Sequence, residues 1–263
     1  MGQNARMTVS RSAGCPGASN AVLIIPVFNE ATVLPAVLAR ATAAFGVVVC
    51  IDDGSTDDSA QCAQAAGAVV LRHPVNLGQG AALQTGITYA LQAQGAADGD
   101  ERYDSIDDST VRYGDINYSD INYLVTFDAD GQHRIEDGLA MVTHAKDHDL
   151  AIVFGSRFLD DRTRPGALRR VVLKAAVWIT NQQTGMRLSD AHNGLRVIRS
   201  DAAAGLDLRQ NRMAHATEIV LQLGRTKLPW GEYGVHVLYT DYSKAKGQSL
   251  VNSVNVLIDS ILK

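Results

Sequence analysis

Tyr123-Leu-Val-Thr-Phe-Asp128-Ala-Asp130-Gly-Gln132-His133 decides how this chain is read. A short apolar run, the mark of a buried strand, stops at two carboxylates one residue apart. Side chains at i and i+2 of an extended segment share a face, so Asp128 and Asp130 can converge on one ligand. An unpaired buried carboxylate is costly, and acids at a strand end therefore need a cation or donors. A hard divalent cation suits them, because it accepts carboxylate oxygens and completes its shell with waters and phosphate oxygens.

Upstream, the same grammar repeats. Ala21–Val27 (AVLIIPV) is a continuous apolar run, as expected of a strand covered on both faces. A helix is expected over Glu30–Phe45, with Pro35 tolerable only in its first turn. Gly46–Ile51 reads as a second buried strand, ending in Asp52-Asp53-Gly54-Ser55-Thr56-Asp57, where Asp57 or Thr56 can cap a helix to about Ala66. Ala68–Leu71 is a third strand and Gln79–Gln94 a third helix. Strands alternating with helices of this length predict an α/β fold, a mostly parallel Rossmann-like sheet covered by helices on both faces. Such sheets bind ligands at the carboxyl ends of their strands, where both acidic clusters lie.

Residues 95–122 break the pattern. They hold eight acids against Arg102 and Arg112, a net of −6, and a small repeat, Asp115-Ile-Asn-Tyr118 and Asp120-Ile-Asn-Tyr123. Their composition reads as a solvated insertion. Further on, a helix is expected over Glu136–Asp147 and a strand over Leu150–Phe154, leading to Gly155-Ser156-Arg157. The basic run Arg162–Lys174 enters an apolar helix over Ala167–Thr180, whose Val171, Val172, Ala175, Trp178 and Ile179 form one broad face. Ser189-Asp190-Ala-His192-Asn193-Gly194-Leu-Arg196 precedes a short strand, then a helix at about 214–224 and a strand over Glu232–Tyr239. The chain closes on the basic Lys244/Lys246 loop and an amphipathic helix (Leu250, Val251, Val254, Leu257, Ile258, Ile261, Leu262). That helix is expected to dock on the body, with a homodimer or membrane contact as the second reading.

Composition narrows the classes. The 263 residues are 46% hydrophobic and 20% charged, as expected of a globular chain. A net charge of −4 argues against a nucleic-acid partner. The three cysteines have no metal-ligand spacing, and sparse, odd cysteines suggest reduced thiols in a cytoplasm. No apolar run approaches the ~20 residues that span a bilayer, and residues 1–20 read as a disordered lead. The expected organisation is thus 1–20 lead, 21–240 catalytic domain with the 95–122 insertion, and 241–263 basic loop and helix.

Five separated motifs, Pro26-Val-Phe28-Asn29-Glu30, Asp52-Asp53-Gly-Ser-Thr-Asp57, Asn76-Leu-Gly78-Gln-Gly80, Asp128-Ala129-Asp130-Gly-Gln132-His133 and Gly155-Ser-Arg157, occur in an order that resembles family 2 glycosyltransferases. These are inverting enzymes of the GT-A fold, and the nearest likeness is to polyprenyl-phosphate sugar transferases and their surface-polysaccharide relatives. The resemblance implies that Pro26, Phe28, Asn29, Glu30, Asp52, Asp53, Gly80, Asp128 and Ala129 hold a UDP- or GDP-sugar. It implies that Asp128, Asp130 and Gln132 gather Mg2+ or Mn2+, that Arg157 reaches the phosphates, and that Lys244 and Lys246 belong to a segment closing over the site. Asp190 stands where the family places an acid near the acceptor. The acidic insertion falls outside the family's pattern.

The residue types suit that chemistry on their own terms. A leaving diphosphate needs neutralising, by a metal acting as Lewis acid and by Arg157, Lys244 and Lys246. A hydroxyl acceptor needs a base, for which Asp190 is the candidate, ahead of His133, His192, His215 and Glu218. A phosphate acceptor is already anionic and needs none. The expected function is transfer of a sugar to a lipid-linked or polyprenyl-phosphate acceptor in cell-envelope glycan synthesis, in the cytoplasm or on the inner face of its membrane. A soluble transferase acting on a sugar hydroxyl and a catalytically degenerate nucleotide-sugar-binding module are the alternatives. A dinucleotide-binding oxidoreductase would want Gly-x-Gly-x-x-Gly after the first strand; the near match at Gly78–Leu83 follows the third strand and ends in Leu.

Overall fold

In the computed structural model, residues 20–97, 121–159, 167–210 and 214–238 are described. The continuous apolar runs become the centre of a seven-stranded sheet in the order β3-β2-β1-β4-β6-β5-β7. Its strands are β1 (Ala21–Val27), β2 (Val47–Asp52), β3 (Val69–Arg72), β4 (Tyr123–Thr126), β5 (Ile152–Ser156), β6 (Arg196–Arg199) and β7 (Trp230–Gly234). Between them run α1 (Leu34–Ala44), α2 (Ser59–Ala65), α3 (Gln79–Ala97), α4 (Ile135–Asp147), α5 (Ala167–Thr184), α6 (Ser200–Ala203) and α7 (Ala214–Arg225).

Strand periodicity splits the core in two. Val22 and Ile24 of β1 pack on one side with Leu83 and Ile87 of α3 and Ile219 and Leu223 of α7. Leu23 and Ile25 face the other way, onto Leu34 and Leu38 of α1 and Met141 and Val142 of α4. A strand buried on both faces has no polar alternate positions, which is why AVLIIPV reads as it does. Pro35 falls in the first turn of α1, where no backbone donor is needed. Helix α4 carries Glu136 and Asp137 in its first turn and His144 and Lys146 in its last, matching the helix dipole at both ends.

β1, β2, β3 and β4 are mutually parallel, so their carboxyl ends share one edge. β6 is antiparallel to both β4 and β5. Arg196 lies opposite Thr126 and Phe154, so β6 enters the sheet where its neighbours end. That reversal brings residues 190–195 to the edge that carries Asp128 and Asp130.

Three expectations shift. The last strand is Trp230–Gly234 rather than Glu232–Tyr239, because pairing with β5 ends at Ser156 opposite Gly234. The following backbone is drawn elsewhere: His236 N–H donates to Asp137 Oδ2 at 2.8 Å and Leu238 N–H to the Gln132 carbonyl at 2.8 Å. Residues 95–97 continue α3, and Ile121 is buried in the core, so both described ends of the acidic segment belong to the body. On α5, Val177 and Thr180 are buried while Trp178 is 64% exposed. The acidic residues 98–120, Lys244, Lys246 and the C-terminal amphipathic helix lie outside the described residues.

Candidate active site

A cleft of about 320 Å³ opens at the carboxyl ends of β1, β2 and β4. Pro26, Phe28, Glu30, Asp53, Asp128, Ala129 and Asp130 line it, with Val27, Asn76, Gly78, Gln79 and Ala82. Phe28 is 41% exposed, an aromatic face left open at the end of a buried strand.

The other motif residues brace this cleft. Asn29 adopts a positive φ of 54°. Its Oδ1 accepts from Thr56 N–H at 2.9 Å, and its own N–H donates to Ser55 Oγ at 3.0 Å. Asp58 is the N-cap residue of α2, and Asp57 before it accepts from the first helical N–H, Ser59, at 3.1 Å and from Ser59 Oγ at 2.6 Å through Oδ1, while its Oδ2 accepts from Ala31 N–H at 3.0 Å. The loops after β1 and β2 are thereby stitched together. Asp52 turns away to Arg72, with Nε to Oδ2 at 2.9 Å, and does not line the cleft. Asp53 lines it, yet its carboxylate accepts from Leu77 N–H at 2.9 Å, Gly78 N–H at 2.7 Å and His73 Nδ1 at 2.7 Å. It shapes the 76–78 loop. Gly80 lies outside the lining because α3 meets the 206–210 segment there: a Cβ would overlap the Gln210 carbonyl and sit 2.9 Å from His215 Cβ.

Asp128 is held from both sides. Gln79 Nε2 donates to its Oδ1 at 2.9 Å, and His133 Nε2 meets Oδ2 at 3.0 Å. Burial opposes its charge, but the His133 bond and the charges of His133, Arg196 and His215 outweigh that and hold the carboxyl below its usual range. Asp130 goes the other way. Burial first, and the Asp128 charge second, push it up to about 6. Gln132 N–H donates to Asp130 Oδ1 at 3.0 Å, so the backbone of Gln132 is what supports this pair.

Two carboxylates forced apart in acidity, both open to one cleft, are the electrostatic arrangement that a divalent cation relieves. Asp128 and Asp130 fit such an ion. Among the described residues no third His, Cys, Asp or Glu joins them, so a substrate diphosphate would supply further ligands. Because Asp130 is more basic in the fold than unfolded, the stability it contributes is full below about pH 4 and is lost as pH rises through about 6. Asp130→Asn should therefore melt higher than wild type at pH 8, on the order of 5 °C. Mn2+ should raise the wild-type melting point at that pH and leave the variant unmoved. Equal metal shifts in both proteins would remove Asp130 from the ion's shell.

Arg157 and Asp190 come together, but on each other. Arg157 Nε donates to Asp190 Oδ2 at 2.6 Å and Nη2 to Oδ1 at 2.8 Å, with both residues buried. The backbone N–H groups of Arg157 and His192 add bonds to Oδ2 and Oδ1 at 3.2 Å each. Burial opposes charge on Asp190, yet the Arg157 guanidinium and these bonds keep its carboxyl low. Both of its oxygens are occupied, and an acid so stabilised is a poor proton acceptor. Sequence reasoning overlooked Glu232, whose Oε1 accepts from Ser189 N–H at 2.8 Å, Ser189 Oγ at 2.9 Å and Asp190 N–H at 3.2 Å. It pins the loop that carries Asp190 to β7. Gln79, Gly194 and Arg196 were also overlooked as site residues, although each stood inside a quoted motif or beside one.

Residues 22–93 match the model of Glycosyl transferase family 2. Over that stretch the chain is similar to family 2 glycosyltransferases. The matched stretch runs from β1 into α3 and supplies most of the cleft wall. An uncharacterised protein of Methanocaldococcus jannaschii is 27% identical over 248 residues, 92% of this chain and 90% of that one. A UDP-N-acetylglucosamine–dolichyl-phosphate N-acetylglucosaminyltransferase of Methanococcus voltae is 24% identical, over 87% of this chain and 90% of its own length. Glucosyl-3-phosphoglycerate synthase of Mycobacterium tuberculosis, solved with Mn2+, UDP-glucose and phosphoglyceric acid, superposes with a TM-score of 0.61 at 14% identity, covering 97% of this chain and 85% of that one. The fold is therefore GT-A.

Proposed function

We propose that this glycosyltransferase moves a sugar from a nucleoside diphosphate sugar to a phosphate-bearing, lipid-linked acceptor in cell-envelope glycan synthesis. The observation that carries the acceptor class is the closed Arg157–Asp190 pair. The acid placed nearest an acceptor is buried, doubly paired and weakly basic. A sugar hydroxyl would have to surrender its proton to something else, whereas a phosphate monoester attacks as an anion. The dolichyl-phosphate acceptor in the name of the Methanococcus voltae relative supports the same class.

In the cleft, Phe28 offers its exposed ring to the base, and the 76–78 loop held by Asp53 shapes the wall beside it. Asp128 and Asp130, with the Gln132 segment, would hold Mg2+ or Mn2+, which supplies Lewis-acid neutralisation of the leaving diphosphate. An acceptor phosphate oxygen bonds to the anomeric carbon from the face opposite the leaving group. The bond from that carbon to the diphosphate oxygen breaks, and its electron pair leaves with the nucleoside diphosphate. Charge balances without a proton transfer.

A lipid-linked acceptor would bring the protein to a membrane surface. No helix among the described residues is long and apolar enough to cross a bilayer. Trp178 on α5 projects from the body one turn beyond Lys174, an aromatic and a cation suited to an anionic interface. Incubation with UDP- and GDP-sugars should give transfer to a polyprenyl phosphate in anionic vesicles, lost in EDTA. Efficient transfer to neutral sugar hydroxyls, with none to the phospholipid, would overturn the acceptor class. Full activity in EDTA would overturn the metal.

A further inference from the structure

A second cavity lies behind Asp128. It measures about 80 Å³ and is lined by Arg196, His192, His215, Thr126, Gly194 and Gln79, among others, and it shares Gln79 and Asp128 with the donor cleft. Arg196 is 2% exposed, and its Nε and Nη2 have no hydrogen-bond partner. His192 Nδ1 is equally orphaned, while its Nε2 meets Thr217 Oγ1 at 3.3 Å. Among the described residues, the buried side-chain polar atoms without partners are five: His133 Nδ1, His192 Nδ1, Asn193 Nδ2, Arg196 Nε and Arg196 Nη2. All are nitrogens, and all stand on the two segments flanking Asp128.

Buried polar groups in folded proteins are nearly always hydrogen-bonded, and although the carboxylates of Asp128 and Asp190 lie close enough to favour the Arg196 charge, they leave its Nε and Nη2 without acceptors. Three of these nitrogens, His192 Nδ1 and Arg196 Nε and Nη2, belong to residues that line the small cavity and mark a place suited to an acceptor-rich group. Water fills such a space poorly as a counter-charge, although at about 30 Å³ each two or three waters would fit. One tetrahedral oxyanion also fits, and it supplies both the charge and the acceptors that a guanidinium's planar fork selects. Burial draws the Arg196 pKa down to about 10, which leaves it cationic at neutral pH.

We propose that the cavity bounded by Arg196 and His192 is the subsite for the acceptor's phosphate monoester, set beside the donor cleft across Asp128. The proposal rests on the phosphate-acceptor reading above and locates that group in the protein. Arg196 supplies charge and a fork of donors, and the His192 ring supplies a further nitrogen. Arg157, committed to Asp190, orders the adjoining loop.

The probes are inorganic phosphate, a polyprenyl phosphate in vesicles and a soluble sugar phosphate. With wild type, inorganic phosphate should inhibit competitively against the acceptor and not against the nucleotide-sugar. Arg196→Gln should raise KM for the phosphate acceptor at least tenfold, with a much smaller change in the Kd for UDP or GDP. Arg196→Lys, which keeps the charge, should fall between the two. If neither variant folds, the wild-type inhibition pattern alone decides. Phosphate competing with the nucleotide-sugar, or an unchanged acceptor KM in Arg196→Gln, overturns the subsite. Transfer to neutral hydroxyls alone, with no inhibition by phosphate, instead overturns the acceptor class. Transfer to the vesicle phosphate but not the soluble one, or the reverse, identifies the source of the phosphate.

Discussion

Gly194→Ala should lower kcat/KM by about 100-fold or more while the protein still folds, because misplacing a reacting group by about 1 Å costs that much. A Cβ at residue 194 would overlap Asp128 Oδ2 and come within 2.7 Å of its Cγ and 2.9 Å of Oδ1. The backbone cannot retreat, since the Gly194 carbonyl accepts from Thr126 Oγ1 at 2.7 Å across the β4–β6 junction. The carboxylate therefore moves, losing its bonds to Gln79 and His133. The position has ordinary backbone geometry, so alanine is excluded by contact and not by conformation. Steady-state kinetics beside a thermal melt checks this. Activity within threefold of wild type would show that the place of the Asp128 carboxylate does not matter to transfer.

Asp190→Asn is expected to act on stability as much as on rate. It leaves Arg157 buried without its countercharge, and removing one partner of a buried pair typically costs about 3–5 kcal/mol. Replacing both, as Arg157→Met with Asp190→Leu, should recover much of that loss, since an apolar pair carries no desolvation penalty. Activity should not return with it if the guanidinium orders the acceptor loop. The pH dependence has a definite sign. The Asp190 carboxyl is depressed in the fold, so its stabilisation is present above about pH 4 and is lost as pH falls through its lower folded value. The melting difference between wild type and Asp190→Asn should stay constant from pH 6 to 8 and shrink below pH 4. Chemical unfolding of the three proteins at two pH values would reveal a flat or inverted profile.

Much of the fold was legible because β1 and β2 are covered on both faces and leave an unbroken apolar record. β7 was misplaced for the converse reason. Trp230-Gly-Glu-Tyr-Gly234 has little strand pattern, and the apolar residues after it are taken by other partners. In the site, acids at strand ends could be read locally, so Asp53, Asp128 and Asp130 were found in the cleft wall. What those acids bond to could not. Asp52 reaches Arg72, 20 residues on, and Asp190 reaches Arg157, 33 residues back. Arg196 looked like an ordinary strand residue until an antiparallel strand delivered it beside Asp128 with its Nε and Nη2 left without hydrogen bonds.

The bond from Leu238 N–H to the Gln132 carbonyl has a practical consequence for labelling and display. Chain direction makes the molecule lopsided. Asn20 lies beside the amino ends of β1 and β4, and Leu238 lies against the loop that carries Asp130. A label attached at Asn20 starts its path on the side of the sheet away from the cleft. A label attached at Leu238 starts beside the loop that carries Asp130. A fluorophore at position 20 would thus serve as an inert handle, whereas one at position 238 would sense occupancy of the cleft.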